Sequence, residues 1–294
     1  MNRRTFISGT SMAGLGLVSS GRSLEAKEIK SREIAVFTKS FEKLPYDELA
    51  TVIAPLGVAG IEAPLRRGGH IEPAELAEKL PAFMSALTKK QLKVLVMTSS
   101  INQVDKAGLA EKQLRAAAAA GIKKYRLNYL KYDLSKPLKP QIANFTAQLR
   151  DLAELNKELG IQGIYQNHRG QNNVGAPVWD IVGMLEEINI PELGIAFDFA
   201  HATVEGANAW QINFLRALPH IGAVYFKDYQ VSGKKWQACP LGQGMVDPNA
   251  GKLVSKMLPK DIPISLHIEY MKGNDQKQLI AAMKNDLTTL KKWL

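Results

Sequence analysis

Residues 194–201, GIAFDFAH, and residues 263–270, PISLHIEY, decide how this chain is expected to fold. Each is a short apolar run typical of a β-strand, and each carries ionisable side chains near its end: Asp198 in the first run, His267 and Glu269 in the second. In the second run polar and apolar residues alternate, so the two faces of the strand differ. Such a strand can turn its polar face into a barrel lumen and its apolar face towards surrounding helices.

Outward from these two runs, strand-like and helix-like segments alternate along the chain. This alternation favours parallel strands joined by right-handed crossovers. Eight such units in about 260 residues fit a single (β/α)8 TIM barrel better than a doubly wound sheet. The predicted strands are residues 32–38, 57–62, 92–97, 124–129, 161–166, 193–198, 221–227 and 264–269. The predicted helices are residues 46–55, 73–90, 106–120, 140–159, 177–188, 207–218, 252–258 and 275–294, and residues 230–247 are predicted to form a long loop.

Composition and short motifs exclude several classes of protein. With 46% hydrophobic and 22% charged residues, the chain has the composition of a folded globular protein. The formal net charge of +10 is interpreted as a basic surface rather than a nucleic-acid footprint. The single cysteine, Cys239, excludes an internal disulfide framework and a multi-cysteine metal site. No Gly-x-Gly-x-x-Gly run follows the first strand and no Gly-Lys-Ser/Thr loop is present, which argues against nucleotide binding.

Residues 1–26 are predicted to be an export signal rather than part of the fold. The run NRRTFIS at residues 2–8 resembles the twin-arginine motif, and the Gly- and Ser-rich stretch after it is too short and weakly apolar to span a membrane. Adjacent arginines in an ordinary N-terminal tail are the alternative. We therefore expect a periplasmic or secreted protein whose barrel comprises residues 32–294.

Polar residues gather at the carboxyl ends of the predicted strands, where TIM barrels carry their chemistry. Of the five histidines, only His220 precedes a strand and so belongs to the opposite rim. The candidate site residues are Glu62, His70, Asn128, Gln166, Asn167, His168, Asp198, His201, Lys227, Asp228, His267 and Glu269.

The main candidates also have purely structural explanations, which the sequence leaves open. Asp198 could cap the turn that follows its strand. Glu269 could be a lumen carboxylate neutralised by Lys227, and His168 could be a hydrogen-bonding loop residue. A lumen lysine is costly unless it is paired, so a site role and an ion-pair role for Lys227 are compatible.

Taken in order, these motifs resemble the sugar phosphate isomerase/epimerase-like barrels of the xylose isomerase-like superfamily, which also contains endonuclease IV. The resemblance covers essentially everything after the export signal. The motifs that carry it are GIE (60–62), GH (69–70), YQNH (165–168), FDFAH (197–201), YFKD (225–228), PLGQGMVD (240–247) and HIE (267–269).

The resemblance implies one divalent metal, Mn, Co, Zn or Mg, held by Glu, Asp, His and Glu from strands five to eight. Asp198 and Glu269 match two of these positions. Gln166 stands at the strand-five position and Tyr225 at the strand-seven position, and Gln243 replaces a glutamate common in the glycine loop. A neutral Gln weakens divalent-metal binding and cannot act as a base.

The missing imidazole ligand could come from His168 or His201, and the His201 position resembles a substrate-binding one. The expected metal ligands are thus Asp198, Glu269, Gln166, His168 and His201. The expected catalytic residues are Glu269, Lys227, His201 and His168. The expected substrate-binding residues are Glu62, His70, Gln166 and Tyr225.

Three functions compete on this reading. The first is an exported sugar or keto-sugar isomerase, epimerase or related lyase that abstracts a proton next to a carbonyl, with a metal or Lys227 stabilising the enediolate. The second is a non-catalytic sugar-binding or partner-associated barrel. The third, a nuclease resembling endonuclease IV, is disfavoured by the missing histidines on strands three and seven. The expected partner is a small carbohydrate rather than a nucleic acid or a membrane, and a homo-oligomer is left open.

Overall fold

Eight parallel strands close into a barrel in the computed structural model, which describes residues 32–233, 235–271, 273 and 275–294. The strands β1 to β7 and β10 form the barrel, and β10 closes it by pairing with β7 and β1. The predicted single (β/α)8 TIM barrel is confirmed. The strands are β1 (Ile34–Phe37), β2 (Gly60–Pro64), β3 (Lys93–Thr98), β4 (Lys124–Arg126), β5 (Gln162–Gln166), β6 (Leu193–Asp198), β7 (Ile221–Phe226), β8 (Asp228–Ser232), β9 (Lys235–Cys239) and β10 (Ile264–Leu266).

Helices follow the barrel strands and cover their outer faces. The longest, α4, ends where Gly160 takes a left-handed conformation (φ 61°), as the sequence predicts. The helices are α1 (Tyr46–Ile53), α2 (Leu76–Thr88), α3 (Leu109–Ala119), α4 (Leu138–Leu159), α5 (Trp179–Ile188), α6 (Phe199–Gly206), α7 (Trp210–Ala217), α8 (Asn249–Met257) and α9 (Gln276–Trp293).

Two separate apolar cores stabilise the barrel. The larger lies between the strands and the helices, and the smaller fills the lumen. Successive side chains of a strand point to opposite faces, so alternate residues of each barrel strand enter the lumen. The lumen core consists of Val96, Ile164, Ala196, Ala223 and Tyr225. The same face of β3, β5, β6 and β7 carries polar side chains two residues further along. These side chains lie at the barrel mouth, which is the end of the barrel at the carboxyl ends of the strands.

Two elements differ from the sequence prediction. The predicted loop at residues 230–247 contains an antiparallel hairpin of β8 and β9, which turns at Gly233 with φ 62°. The prediction took the glycines of this segment as a sign of irregular structure, but here a glycine makes the tight turn between two strands. Helix α6, which begins directly after Asp198, was also not predicted. It is a single short element with no sequence break between it and β6.

The predicted export signal at residues 1–26 lies outside the described residues. In the part of the chain that the structure does describe, no helix is both long enough and apolar enough to cross a membrane. Cys239, at the end of β9, is buried and forms no disulfide.

We predict that Gly60→Ala destabilises the barrel. Gly60 pairs with neighbours on both sides of β2, and an added Cβ would overlap the backbone carbonyl oxygen of Lys93. Backbone atoms of a closed sheet cannot move aside freely, so the free energy of unfolding should fall by roughly 1–3 kcal/mol. Urea-induced unfolding followed by circular dichroism measures this change.

The matched control is Gly183→Ala in α5, where an added Cβ meets no atom within 4 Å. Alanine is the better helix residue, so this variant should gain about 0.5–1 kcal/mol. Equal stability of the two variants would contradict the close approach of β2 to β3.

Candidate active site

The centre of the barrel mouth is a buried ammonium group. Lys227 directly follows β7, and its side chain is only 3% exposed. Its Nζ lies 3.2 Å from Asp198 Oδ2 and 3.5 Å from Glu269 Oε2. Burial would lower the pKa of Lys227, but Asp198 and Glu269 outweigh burial and raise this pKa above its usual value. Lys227 is therefore a fixed positive charge.

Asp198 ends β6 and is contacted from three directions. Its Oδ2 accepts a hydrogen bond from Gln166 Nε2 at 2.7 Å and forms the ion pair with Lys227. Its Oδ1 accepts from the backbone N–H of His201 at 3.0 Å and so caps helix α6. The Asn167 side chain in turn bonds both the backbone N–H and the carbonyl of Asp198. The capping role and the ion-pair role left open by the sequence are thus both present in one residue.

Glu269 lies at the rim and is the more accessible carboxylate. Its side chain is 30% exposed, and Oε2 accepts from the Tyr229 hydroxyl at 3.1 Å besides approaching Lys227. Burial would raise the pKa of Glu269, but the charge of Lys227 leads the effects that lower it to about 2. Glu269 is therefore a carboxylate of low basicity at neutral pH.

Gln166 ends β5 with its amide held in one orientation. The Tyr129 hydroxyl donates to its Oε1 at 2.7 Å, and Arg126 Nη1 donates to the same oxygen. A guanidinium has no acceptor atom, so the group facing Arg126 must be the amide oxygen. The amide nitrogen consequently faces Asp198 and donates to it. The oxygen that would ligate a metal is turned away from the Asp198 carboxylate.

Two histidines pack against each other beside the ion pair, with their rings tilted by 47°. The rings of His168 and His201 have centroids 3.9 Å apart. Burial, followed by the charge of Lys227, lowers the pKa of both imidazoles, that of His201 well below its usual value. Both rings are therefore neutral near pH 7. His201 is buried, and neither of its ring nitrogens has a hydrogen-bond partner among the described residues.

The tautomer of His168 follows from its main contact. His168 Nδ1 lies 2.8 Å from the carbonyl oxygen of Arg169, which can only accept, so Nδ1 carries the proton. The same carbonyl accepts from Asn173 Nδ2 at 3.0 Å. In a neutral ring this leaves a lone pair on Nε2. His168 is both a loop hydrogen-bonding residue and a group that can accept a proton.

A second polar cluster lies around Glu62 in the middle of β2. Thr98 Oγ1 donates to Glu62 Oε1 at 2.6 Å, and His267 Nε2 donates to Oε2 at 2.8 Å. Arg126 Nε lies 3.7 Å from Oε1, so Arg126 joins this cluster to Gln166. Burial would raise the pKa of Glu62, but His267 and Arg126 outweigh it and lower the pKa to about 2. Glu62 is completely buried.

The structure separates two predicted residues from the ion pair. Tyr225 lies two residues before Lys227 in the lumen core, fully buried against the ring of His267 at 4.6 Å between centroids. The side chain that reaches Asp198 from this part of the chain is Lys227, the residue after β7. His70 bonds Thr38 Oγ1 at 2.9 Å and packs on Phe83, with no contact to Asp198 or Glu269.

Sequence reasoning missed the three residues that orient the site. Arg126 and Tyr129 hold Gln166, and Tyr229 bonds Glu269. One signal in the sequence could have identified Arg126. It is a charged residue in β4 whose side chain enters the lumen, and a buried charge requires a partner. Asn128 was the polar residue noted at the end of strand four, with a structural role expected, and its side chain accepts from the backbone N–H of Tyr129 in the following loop.

The predicted divalent metal does not fit the side chains present. In the part of the chain described, no group of three or more His, Cys, Asp and Glu side chains could hold a metal ion. The two carboxylates that converge do so on an ammonium, and Gln166 offers Asp198 a donor instead of an oxygen ligand. The observed site can bind and polarise oxygen atoms through Lys227 and can accept a proton at His168.

The structure is therefore a (β/α)8 barrel with a polar site at the carboxyl ends of its strands. The family model of the xylose isomerase-like TIM barrel matches residues 51–292. The chain therefore belongs to the xylose isomerase-like TIM barrel family. No curated protein sequence matches it.

Solved structures of similar fold include sugar epimerases and a dehydratase. The 3-keto-D-glucoside 4-epimerase of E. coli is 15% identical, with a TM-score of 0.67 over 89% of this chain and 99% of that one. The D-allulose 3-epimerase of Methylomonas sp., solved with D-allulose, is 18% identical (TM-score 0.65; 90% and 98%). The probable 3-DHS dehydratase of Bacillus anthracis is 18% identical (TM-score 0.65; 86% and 97%). These similarities show a shared fold.

We predict that His70 makes the barrel sensitive to acid. Burial lowers the pKa of His70 to about 4, and its Nδ1 is buried without a partner among the described residues. Between pH 6.5 and pH 4 the unfolded chain therefore binds a proton that the folded chain does not, so stability falls as pH falls. His70→Gln should reduce the loss between pH 6.5 and pH 5 by up to about 2 kcal/mol.

Urea unfolding of both proteins from pH 8 to pH 5 measures this difference. Above pH 7.5 the two stability curves should run parallel, because His70 is neutral in both states there. An unchanged pH slope in the variant would show that His70 is protonated in the folded protein.

Proposed function

We propose that the chain is an enzyme acting on a sugar or keto-sugar, as an isomerase, epimerase or related lyase, by abstracting a proton next to a carbonyl. One observation carries the proposal: a neutral imidazole, His168, lies at the same barrel mouth as a buried ammonium, Lys227. Membership of the family supports the proposal, since relatives of this fold include the epimerases named above.

His168 is the proposed base. Its Nδ1–H is tied to the Arg169 carbonyl, which fixes the ring and leaves Nε2 to accept the proton. The lowered pKa keeps the ring neutral at physiological pH, as a general base requires. His201 packs against it at an angle of 47°, with its own Nε2 buried 3.6 Å from Asp198 Oδ2.

Lys227 is the proposed electrophile. As the substrate C–H bond breaks, its proton passes to His168 Nε2 and its electron pair moves to the carbonyl oxygen. The resulting enediolate is stabilised by the ammonium, which is already in place and partly desolvated. Delivery of a proton from solvent to the other face of the same carbon gives an epimer. Return of the proton to the former carbonyl carbon, with the neighbouring hydroxyl proton passing to the former carbonyl oxygen, gives an isomer.

Glu269 was expected to act as a base, but the proposal gives it another role. A carboxylate with a pKa of about 2 is a poor proton acceptor at neutral pH. Glu269 instead helps to hold Lys227 and orients the Tyr229 hydroxyl. Its Oε1, which accepts no bond from the described residues, is available to a sugar hydroxyl. Because the donor set does not fit a divalent metal, no step of the proposal uses one.

A non-catalytic carbohydrate-binding barrel is the second candidate. The observation in its favour is that the Asp198 carboxylate is satisfied by Gln166, Lys227 and the His201 backbone, so this part of the site is complete without substrate. The two candidates differ in whether a bound sugar exchanges a C–H proton.

We predict that the protein catalyses exchange of a C–H hydrogen of its sugar with solvent deuterium. NMR of a panel of aldoses, ketoses and keto-glycosides in D2O detects this exchange even where no net product forms. Loss of a general base typically costs about 10²–10⁴-fold, so His168→Gln should slow exchange by at least about 100-fold. Sugar binding, measured by calorimetry, should persist.

His220→Gln is the matched control, because His220 precedes β7 at the other end of the barrel. It should leave exchange unchanged. Binding of a sugar without exchange by the unsubstituted protein would favour the binding barrel, and full exchange in His168→Gln would remove His168 as the base.

The proposal also places the enzyme outside the cytoplasm, on the basis of the NRRTFIS run at residues 2–8. Replacing Arg3 and Arg4 together by lysine preserves charge but removes the paired guanidinium groups. We predict that this variant stays in the cytoplasm of a host with twin-arginine export, whereas the unsubstituted chain reaches the periplasm. Cell fractionation and immunoblotting measure the distribution. Equal export of both chains would show that residues 1–26 are not a twin-arginine signal.

A further inference from the structure

We propose that the Lys227 ammonium takes the place of a divalent metal in this site, so that the chain supplies its own cation and excludes a bound one. The exclusion of metal stands on geometry alone. The part that Lys227 plays in turnover rests on the proposed function.

The first argument is position. Nζ of Lys227 approaches Asp198 Oδ2 and Glu269 Oε2 within 3.5 Å, and these are the two residues at which the family resemblance implies metal ligands. A protonated amine has no lone pair to offer a metal. A divalent ion placed between the same two carboxylates would meet a buried positive charge at short range, and this repulsion is strong where water is excluded.

The second argument is the orientation of Gln166. Its amide oxygen is occupied by Arg126 and Tyr129, and its amide nitrogen points at Asp198 Oδ2. This oxygen is therefore contacted by an amide donor from β5 and by the ammonium of the residue after β7. At the strand-five position, where the resemblance implies a metal ligand, Gln166 donates to the carboxylate instead of joining it around a cation. At the strand-seven position, Tyr225 lies buried in the lumen core, and Lys227 contacts the carboxylate from two residues further along.

The third argument is the donor capacity of the ammonium. A lysine has three N–H donors, and two carboxylate oxygens lie within ion-pair distance of Nζ, at 3.2 Å and 3.5 Å, so one donor directed at each uses two of them. One donor remains for a substrate oxygen. A bound divalent metal often keeps several open positions and can grip two substrate oxygens at once. This site is therefore built to polarise a single carbonyl oxygen, and neighbouring hydroxyls must be recognised by accessible side chains such as Glu269.

Cobalt(II) titration tests the exclusion of metal without any substrate. The unsubstituted protein should show no site-specific d–d absorption and no stoichiometric binding by calorimetry. The double variant Gln166→Glu with Lys227→His removes the ammonium and the reversed amide, and supplies ligands from strands five and seven. It should bind cobalt at least about tenfold more tightly than the unsubstituted protein.

Lys252→His on the exposed face of α8 is the control for adventitious binding by an added imidazole. It should behave like the unsubstituted protein. If the double variant does not fold, titration of the unsubstituted protein decides the question. Stoichiometric binding there that is lost in Asp198→Asn would overturn the inference, as would a double variant that folds and binds no better.

A second readout separates this inference from the proposed function. Exchange activity that survives EDTA supports both. Activity abolished by EDTA and restored by a divalent metal would refute the role of Lys227 and leave the sugar chemistry standing. Absence of both activity and metal binding would refute the proposed enzyme and leave the exclusion of metal intact.

Discussion

The pairing of one buried ammonium with two carboxylates constrains the whole mouth of the barrel. An unpaired lysine at this depth would cost several kcal/mol, so Lys227 requires that Asp198 and Glu269 come close to it. They can do so because β6, β7 and β10 are parallel neighbours in a closed sheet, in a register that aligns Asp198 with Tyr225 and Ser265 with Tyr225. The register of these strands therefore brings the three charged side chains together, and the need to pair the buried lysine favours that register in turn.

This dependence explains what the sequence could and could not predict. Strand and helix alternation is a local signal, and it predicted the barrel. That Asp198 and Glu269 would meet followed from the rule that parallel strands end on one rim. The same rule could not show that Lys227, and not Tyr225, is the residue of strand seven that contacts Asp198. Both side chains enter the lumen two residues apart. Tyr225 is the register partner of Asp198, yet only the closed barrel shows that Tyr225 belongs to the lumen core and that the longer Lys227 side chain contacts the carboxylate.

The orientation of Gln166 was beyond sequence reasoning for a physical reason. A glutamine side chain carries a donor and an acceptor at the same end, and which of them faces a neighbour is set by the neighbours. Here Arg126 and Tyr129, from another strand and its loop, decide it. The short β8–β9 hairpin was missed for a similar reason, since it supplies Tyr229 to Glu269 through contacts distant in sequence.

One lysine thus sets two chemical properties of the mouth. Its charge stabilises the two carboxylates, and the same charge adds to burial in lowering the pKa of His168 and His201. In the proposed reaction a base and an electrophile are produced together, because the positive charge that would attract electrons towards a substrate oxygen also lowers the pKa of the neighbouring imidazoles. Removing the ammonium would therefore raise the basicity of His168 while abolishing the stabilisation of the anion formed by proton transfer. The higher basicity of His168 would speed proton transfer, and the lost stabilisation of the enediolate would slow it. The second effect is the larger, because it concerns a full negative charge that develops close to the ammonium.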